Sequence, residues 1–489
     1  MNKAVEQGNP QNTELSFSDE EVKRWTPSRR DFLRILGAGA SVAAFSPLTA
    51  FANNGGPGAG SLRSQLVQDE RFWESVNRMF ILNPNKTFMN IGTAGSMPKL
   101  TLDLFDEENR ERAKESLSGY SNLLTQRTRV APGFGVDPDE LAFSANTSSG
   151  MCHAILGLDW KAGDVVVTTN HEHPGGDTPL AIAVARYGIE VSRIALPVGN
   201  NQTAETYADL FTQRISQLRA SGKRVRAMMW SSPTYKTGTM LPLVELMNVA
   251  KANELISICD GAHLPGMMAL NYANLGMDFM SGAGHKWQCG PGSTGILVIR
   301  NKIRASNPLP LPKWFPIHTS SFPTAAQSGV RTATSTFDVG SVVTSCGSLH
   351  TPMFNALVKA CDIWDEIGRK KIETYDLTLS AYLKERITER WGVTRLYSPK
   401  DDPRLVSALT SFNPFHNPAD VLDSAKSTAF VTRMLNDYPK GFVIRNVNVP
   451  VIGSERDHYV IRISTHLWHS VSDVDRLVDA MWDLSKKMA

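Results

Sequence analysis

Between Leu141 and Arg300, short runs rich in β-forming residues alternate with segments patterned like helices. The predicted strands are Asp164–Thr169, Val191–Ala195, Arg226–Trp230, Ile256–Cys259, Phe279–Gly282 and Gly295–Arg300, with helical patterns such as Pro242–Asn253 between them. Strands that alternate with helices imply βαβ units, and so a largely parallel sheet covered on both faces. The fold class is therefore α/β. A Pro-rich stretch from Pro308 to Pro323 marks a border. Beyond Phe354 the pattern changes to long helices (Ala356–Arg390), short strands (Val406–Phe412, Tyr459–Ser464) and a terminal helix from Val471. The expected organisation is a large domain over residues 91–315 and a smaller α+β domain over residues 316–489. Ahead of them, residues 53–90 comprise a Gly-rich linker and an amphipathic helix, Leu66–Phe80. A short apolar run, Phe88 to Pro98, then enters a glycine turn, and a charged helix, Leu100–Leu117, follows.

Residues 1–52 are expected to stand outside the fold. The first 27 or so are polar, of the composition that stays disordered. Then Ser28-Arg29-Arg30-Asp31-Phe32-Leu33-Arg34 precedes an uncharged run of 18 residues, Ile35–Ala52, rich in Gly, Ala and Ser. Small residues at its end fit a signal-peptidase site better than a membrane anchor. The arginine pair resembles a twin-arginine export signal. The expectation is a periplasmic protein, cleaved near Ala52, with no stable membrane span in its mature form. Export in the folded state also accommodates five scattered cysteines, which form no disulfide framework. With 51 basic and 48 acidic residues interspersed, a net charge of +3 gives no reason to expect nucleic acid. No GxxxxGK[ST] loop and no zinc-type spacing occurs, so no metal site is expected.

In parallel sheets, ligands bind outside the carboxyl ends of the strands, and four such ends carry polar residues. After Phe143 comes Ser144-Ala-Asn-Thr-Ser-Ser-Gly150, opening an apolar helix; free N–H groups at its positive end make a phosphate seat. After Thr169 comes Asn170-His171-Glu172-His173, and after Cys259 comes Asp260-Gly-Ala-His263. After Gly282 comes His285-Lys286-Trp287 with Gly290, Gly292 and Gly295 behind it. An amine beside a dry aromatic wall loses hydration, and its neutral nucleophilic form becomes easier to reach. A phosphate seat, a carboxylate, an imidazole and an amine at adjacent strand ends point to one molecule, pyridoxal 5'-phosphate. Its chemistry needs a lysine for the aldehyde and an acid to keep the pyridine nitrogen protonated. Asp260 suits that nitrogen and His173 the ring face. Two other readings are a cofactor-free lyase, in which Lys286 attacks a substrate carbonyl directly, and a non-catalytic binding protein on the same fold.

The order of these motifs, Asn146–Ser149, Glu172-His173, Asp260-x-Ala-His263, Gly284-His285-Lys286 and Arg462-Ile-Ser464, resembles the class V aminotransferase family, on its isopenicillin N epimerase and cysteine desulfurase side. The resemblance implies a fold-type I pyridoxal-phosphate enzyme, with a mostly parallel seven-stranded sheet in the large domain. It also implies that Lys286 takes the cofactor aldehyde, Asp260 the pyridine nitrogen and His263 the ring hydroxyl. His285, Thr147 and Ser148 would hold the phosphate. Phe337-Asp-Val-Gly340-Ser341 resembles the segment that reaches the phosphate of the other subunit, so a homodimer is expected. Arg462 stands where the family binds the substrate α-carboxylate, which a guanidinium fork matches with two bonds. The implied substrate is an amino acid or peptide-derived amine, and the implied reaction is transamination or epimerisation at its α-carbon, with a non-desulfurase lyase as the alternative. Three departures bear on the reaction. No cysteine follows Cys361, although the desulfurases need one shortly before the position of Arg462. Tyr235 stands where many relatives carry asparagine near the ring, and Ala283 replaces a serine two before the His-Lys pair.

Overall fold

The structure is a computed structural model and describes residues 58–321 and 338–489. The proposed export signal and Phe337 lie outside these residues. Seven strands form the central sheet: β1 (Leu141–Ser144), β2 (Asp164–Thr169), β3 (Glu190–Ile194), β4 (Arg224–Ser231), β5 (Ile256–Asp260), β6 (Phe279–Ala283) and β7 (Gly295–Ile299). Their spatial order is β1-β7-β6-β5-β4-β2-β3, in which β7 alone runs antiparallel to its neighbours. The six predicted strands are all present, within two residues at each end. β1 is not among those six; the sequence marks only its end, at Phe143, and not its extent. Its four residues form a strand through pairing with β7 some 150 residues later, which no local pattern reports.

Burial explains the apolar runs. Every residue of β1, β2, β6 and β7 is buried. On one face, Val166, Ala227, Ile258, Phe279 and Leu297 pack against Met151, Ala154 and Ile155 of α1 (Thr147–Leu156) and against Leu180 and Ala183 of α2 (Pro174–Tyr187). A second sheet follows in the C-terminal third. It has the antiparallel order β9 (Arg445–Val449), β10 (His458–Ser464), β8 (Leu409–Phe412). The long helices predicted over Ala356–Arg390 are two, Thr351–Ile367 and Arg369–Trp391, divided at Gly368, whose φ of +98° favours glycine. Likewise Leu66–Phe80 lies across two helices, Ala59–Gln68 and Glu70–Asn77, with Asp69 between them. Among the described residues no helix is long and apolar enough to cross a membrane.

A buried ion pair ties the back of the sheet together. Arg300 follows β7, and its Nε and Nη2 donate to Asp278 Oδ1, just ahead of β6, at 3.0 and 2.7 Å. The other carboxylate oxygen accepts from the amide and the hydroxyl of Ser257 on β5. Three adjacent strands are thus linked at the end opposite the candidate site. Removing one partner of a buried pair leaves an uncompensated charge, so Arg300→Met should lower the unfolding free energy by roughly 3–5 kcal/mol in a denaturant titration.

Candidate active site

Strand register sets the floor of the site. Ser231 is opposite Asp260, and Asp260 is opposite Ser281, so three strand ends present polar side chains in one row. Asp260 is buried, and its Oδ1 accepts from the amide of Ala262 at 3.1 Å. Burial raises its pKa, against the lowering pull of Lys286 and that amide. From β6 the chain enters the turn that carries the lysine. Gly284 N donates to Thr294 O at 2.8 Å, Gly290 N to Gly284 O at 2.8 Å and Cys289 N to Lys286 O at 3.1 Å. The glycines therefore shape a tight return into β7. Gly95 closes the turn from outside, donating to His285 O at 2.8 Å. A Cβ on Gly95 would lie 2.2 Å from the Lys286 carbonyl oxygen, so only glycine allows this approach. The Lys286 ammonium is pushed down to about 8, chiefly by loss of hydration, opposed by Asp260 and assisted by Arg462 and Arg445.

Trp287 does more than line the pocket. Its Nε1 donates to His263 Nδ1 at 3.1 Å, which leaves Nε2 as the protonated nitrogen of that imidazole. Burial first, then the surrounding cations, hold His263 neutral. The Trp287 carbonyl meets His466 Nε2 at 3.0 Å, and His466 Nδ1 lies 2.8 Å from Asp376 Oδ2. All three residues are buried, so the C-terminal third braces the lysine turn from behind. His285 faces Thr294 O through Nδ1 at 3.4 Å, and burial lowers its pKa.

Thr147 and Ser148 open α1, where Asn146 accepts from Ser149 N at 2.9 Å as the cap. The hydroxyl of Thr147 is buried and has no hydrogen-bond partner among the described residues. α2 opens beside it. A Cβ on Gly175 would lie 2.5 Å from Ser148 Oγ, and one on Gly176 would lie 3.5 Å from Asp260 Oδ2. The two helix starts and the carboxylate thus meet where a Cβ would intrude. His173 caps α2, and its Nδ1 accepts from Gly175 N at 3.0 Å, which orients the ring. One edge of the ring is open to solvent. The protein on its other side, and then the nearby cations, push its pKa down to about 4, so the imidazole is neutral. Tyr235 stands edge-on to it, with ring centroids 4.9 Å apart.

Arg462 is fully buried, and no carboxylate pairs with it among the described residues. Its Nη1 donates to Tyr235 O at 2.9 Å and its Nη2 to Asn90 Oδ1 at 3.1 Å, while Nε has no partner among the described residues. Burial and the neighbouring Arg445 both act against its charge. An arginine held in this state favours an incoming carboxylate over solvent. Gly340 and Ser341 are placed differently. They begin the helix Val339–Thr344, where Asp338 accepts from Ser341 N at 2.7 Å and Arg127 forks onto Asp338 at 2.8 Å. A Cβ on Gly340 would strike Leu141 O, so within one chain this segment is packed on β1.

Several residues of the site carry no sequence signal of their own. Asn90 sits in what reads as an apolar run, and its partner in the site is 372 residues away. Glu172 was legible only as part of a motif. Its two oxygens accept from Thr169 and Ser231 hydroxyls, each at 2.5 Å, and burial raises it to about 7. Among the described residues no cluster of His, Cys, Asp or Glu could hold a metal ion.

The donor set fits pyridoxal 5'-phosphate. The orphaned Thr147 hydroxyl and two helix starts suit its phosphate, Asp260 its ring nitrogen and Lys286 its aldehyde. The fold is that of the fold-type I pyridoxal-phosphate enzymes. Two solved neighbours share it. A C-DES mutant described with glycine covalently linked to its PLP cofactor aligns with a TM-score of 0.65 at 21% identity, covering 82% of this chain and 97% of that one. The apo cysteine desulfurase of Thermococcus onnurineus NA1 aligns with a TM-score of 0.64 at 20% identity, covering 85% and 98%. The chain belongs to the class V aminotransferase family, which matches residues 106–477. It is similar to the isopenicillin N epimerases of Streptomyces clavuligerus, 24% identical over 84% of this chain and 97% of that protein, and of Amycolatopsis lactamdurans, 25% identical over 85% and 99%.

A neutral Lys286 is the form that captures an aldehyde. Capture of pyridoxal phosphate by the cofactor-free protein, followed by absorbance, should therefore rise through pH 8. Asp260 holds the lysine's pKa up, so Asp260→Asn should move this inflection to lower pH. An inflection that stays in the range of an ordinary lysine, or moves upward in the variant, would contradict this electrostatic reading.

Proposed function

We propose that the chain is a pyridoxal-phosphate enzyme that moves a proton at the α-carbon of an amino acid or an amino-acid-derived group, by transamination or epimerisation. The observation that carries this reading is the company of Lys286. The amine has a depressed pKa and stands under the influence of buried Asp260, and Arg462, which also acts on it, has no carboxylate partner among the described residues. When bound, the cofactor supplies an aldehyde for the substrate amine and a protonated ring that withdraws electrons from the α-carbon. Asp260 keeps that ring nitrogen protonated. Arg462 holds the α-carboxylate and so fixes which bond at the α-carbon faces Lys286. Lys286 would take the α-proton on Nζ; its pKa of about 8 is matched to this work. His173, neutral and oriented by Gly175, would cover the ring face, and buried Trp287 excludes water.

The similarity to isopenicillin N epimerases supports chemistry at an α-carbon. With no cysteine after Cys361, the chain lacks a sulfur acceptor where the desulfurases need one. We propose further that the active form is a homodimer, in which Gly340 and Ser341 reach the partner's phosphate, and that the twin-arginine motif exports it to the periplasm.

Two experiments test these readings. Purified enzyme incubated with amino acids in deuterated water should exchange the α-hydrogen of its substrate. Exchange that occurs without a keto acid, with inversion at the α-carbon, marks an epimerase, and net amino transfer that requires a keto acid marks an aminotransferase. Lys286→Ala should lose the cofactor absorbance band and slow exchange by roughly 10²–10⁴-fold. A protein with no such band would end the enzyme reading. Separately, replacing Arg29 and Arg30 with lysines should leave the protein in the cytoplasm, and undiminished periplasmic recovery would overturn the export assignment.

A further inference from the structure

Arg445 and Arg462 are opposite each other in the antiparallel pair β9–β10, so their side chains leave the same face of the sheet. Like charges directly opposite repel. Arg445 Nη1 donates to Thr93 Oγ1 at 3.4 Å, Thr93 Oγ1 donates to Asn90 Oδ1 at 3.0 Å, and Asn90 Oδ1 accepts from Arg462 Nη2 at 3.1 Å. One small turn thus joins the two guanidinium groups, with no carboxylate between them. A third cation stands close by. Lys236 is buried, donates from Nζ to Asn448 O at 2.7 Å and lies over the Tyr235 ring at 5.1 Å. Lys286 is the fourth.

The acidic groups here do not balance these four. Asp260 lies at the floor, where the proposed function commits it to the cofactor ring. Asp457, which acts on Lys236, accepts from Asn448 Nδ2 at 2.7 Å. Asp177 is paired with Arg193. The two arginines also differ in depth. Arg462 is 1% exposed with an unpartnered Nε, whereas Arg445 is exposed at the outer edge of the same cluster. A ligand anchored on Arg462 by its α-carboxylate therefore meets Arg445 as it extends toward solvent. The α-carboxylate satisfies one guanidinium, and a neutral side chain would leave the other unmatched.

We propose that the substrate is an amino acid whose side chain carries a second carboxylate, and that Arg445, with Lys236 adding charge, is the group that selects it. This rests on the proposed function, in which Arg462 takes the α-carboxylate. Amine-free probes separate the two ideas, because they bind without reacting. Succinate, glutarate and adipate are titrated into the holoenzyme by calorimetry, against monocarboxylates of equal chain length. At least one dicarboxylate should bind about tenfold more tightly than its monocarboxylate counterpart. Arg445→Gln should bring the two to equal affinity, Arg445→Lys should keep part of the preference, and Arg462→Gln should weaken both. Equal binding of the two probes in the wild type, binding of neither, or a preference that survives Arg445→Gln would overturn the proposal. Failure of the α-carbon reading has a different signature: no cofactor band at Lys286, or monocarboxylate binding indifferent to Arg462→Gln.

Discussion

An ammonium group taken out of water is unstable unless something compensates it. In this protein the Lys286 amine is displaced to a pKa of about 8, and the charge that acts most against the displacement is Asp260, itself buried at the end of the neighbouring strand. The other polar groups of the site are arranged around that imbalance. His263 and His173 are held neutral, so they add no further positive charge beside the lysine. Glu172, raised to about 7, is held by two hydroxyls without a cation. The balance of charge thus suits a ligand that brings negative charge, the cofactor phosphate at the helix starts and, as proposed, a substrate carboxylate at Arg462.

The lysine's position is set by contacts far apart in the chain. Gly95 approaches the turn from the N-terminal side and touches its backbone. His466, fixed by Asp376, approaches from the C-terminal side and holds the Trp287 carbonyl, while Trp287 in turn orients His263. The central sheet supplies the floor, and segments on either side of it in the sequence supply the clamp. That arrangement makes Arg445 and Arg462 a part of the lysine's electrostatic environment, although both lie outside the central sheet.

Local pattern was enough to show the βαβ part of the fold. β2 is Asp164–Thr169, as its run of β-branched residues predicts, and Asp260 and Lys286 are legible because polar residues at the ends of apolar strands stand out. Of β1 only the end at Phe143 was legible, because its extent comes from pairing with β7. The break at Gly368 was hidden inside a long helical period. Asn90 reads as one polar residue in an apolar run until β10 brings Arg462 to it. Arg445 falls in no predicted strand, and only the register of β9 sets it opposite Arg462.

Lys286 and its motif partners, the cofactor they fit and the α/β class were therefore determined by the sequence alone, because short-range chemistry at strand ends leaves a local trace. The tertiary structure decided the state of those groups. Burial lowers the lysine's pKa, and a tryptophan N–H chooses the tautomer of His263. Antiparallel register sets two arginines face to face, with no acid paired to either among the described residues. Desolvation and register depend on residues hundreds of positions apart, and neither has a signature in any window of the chain.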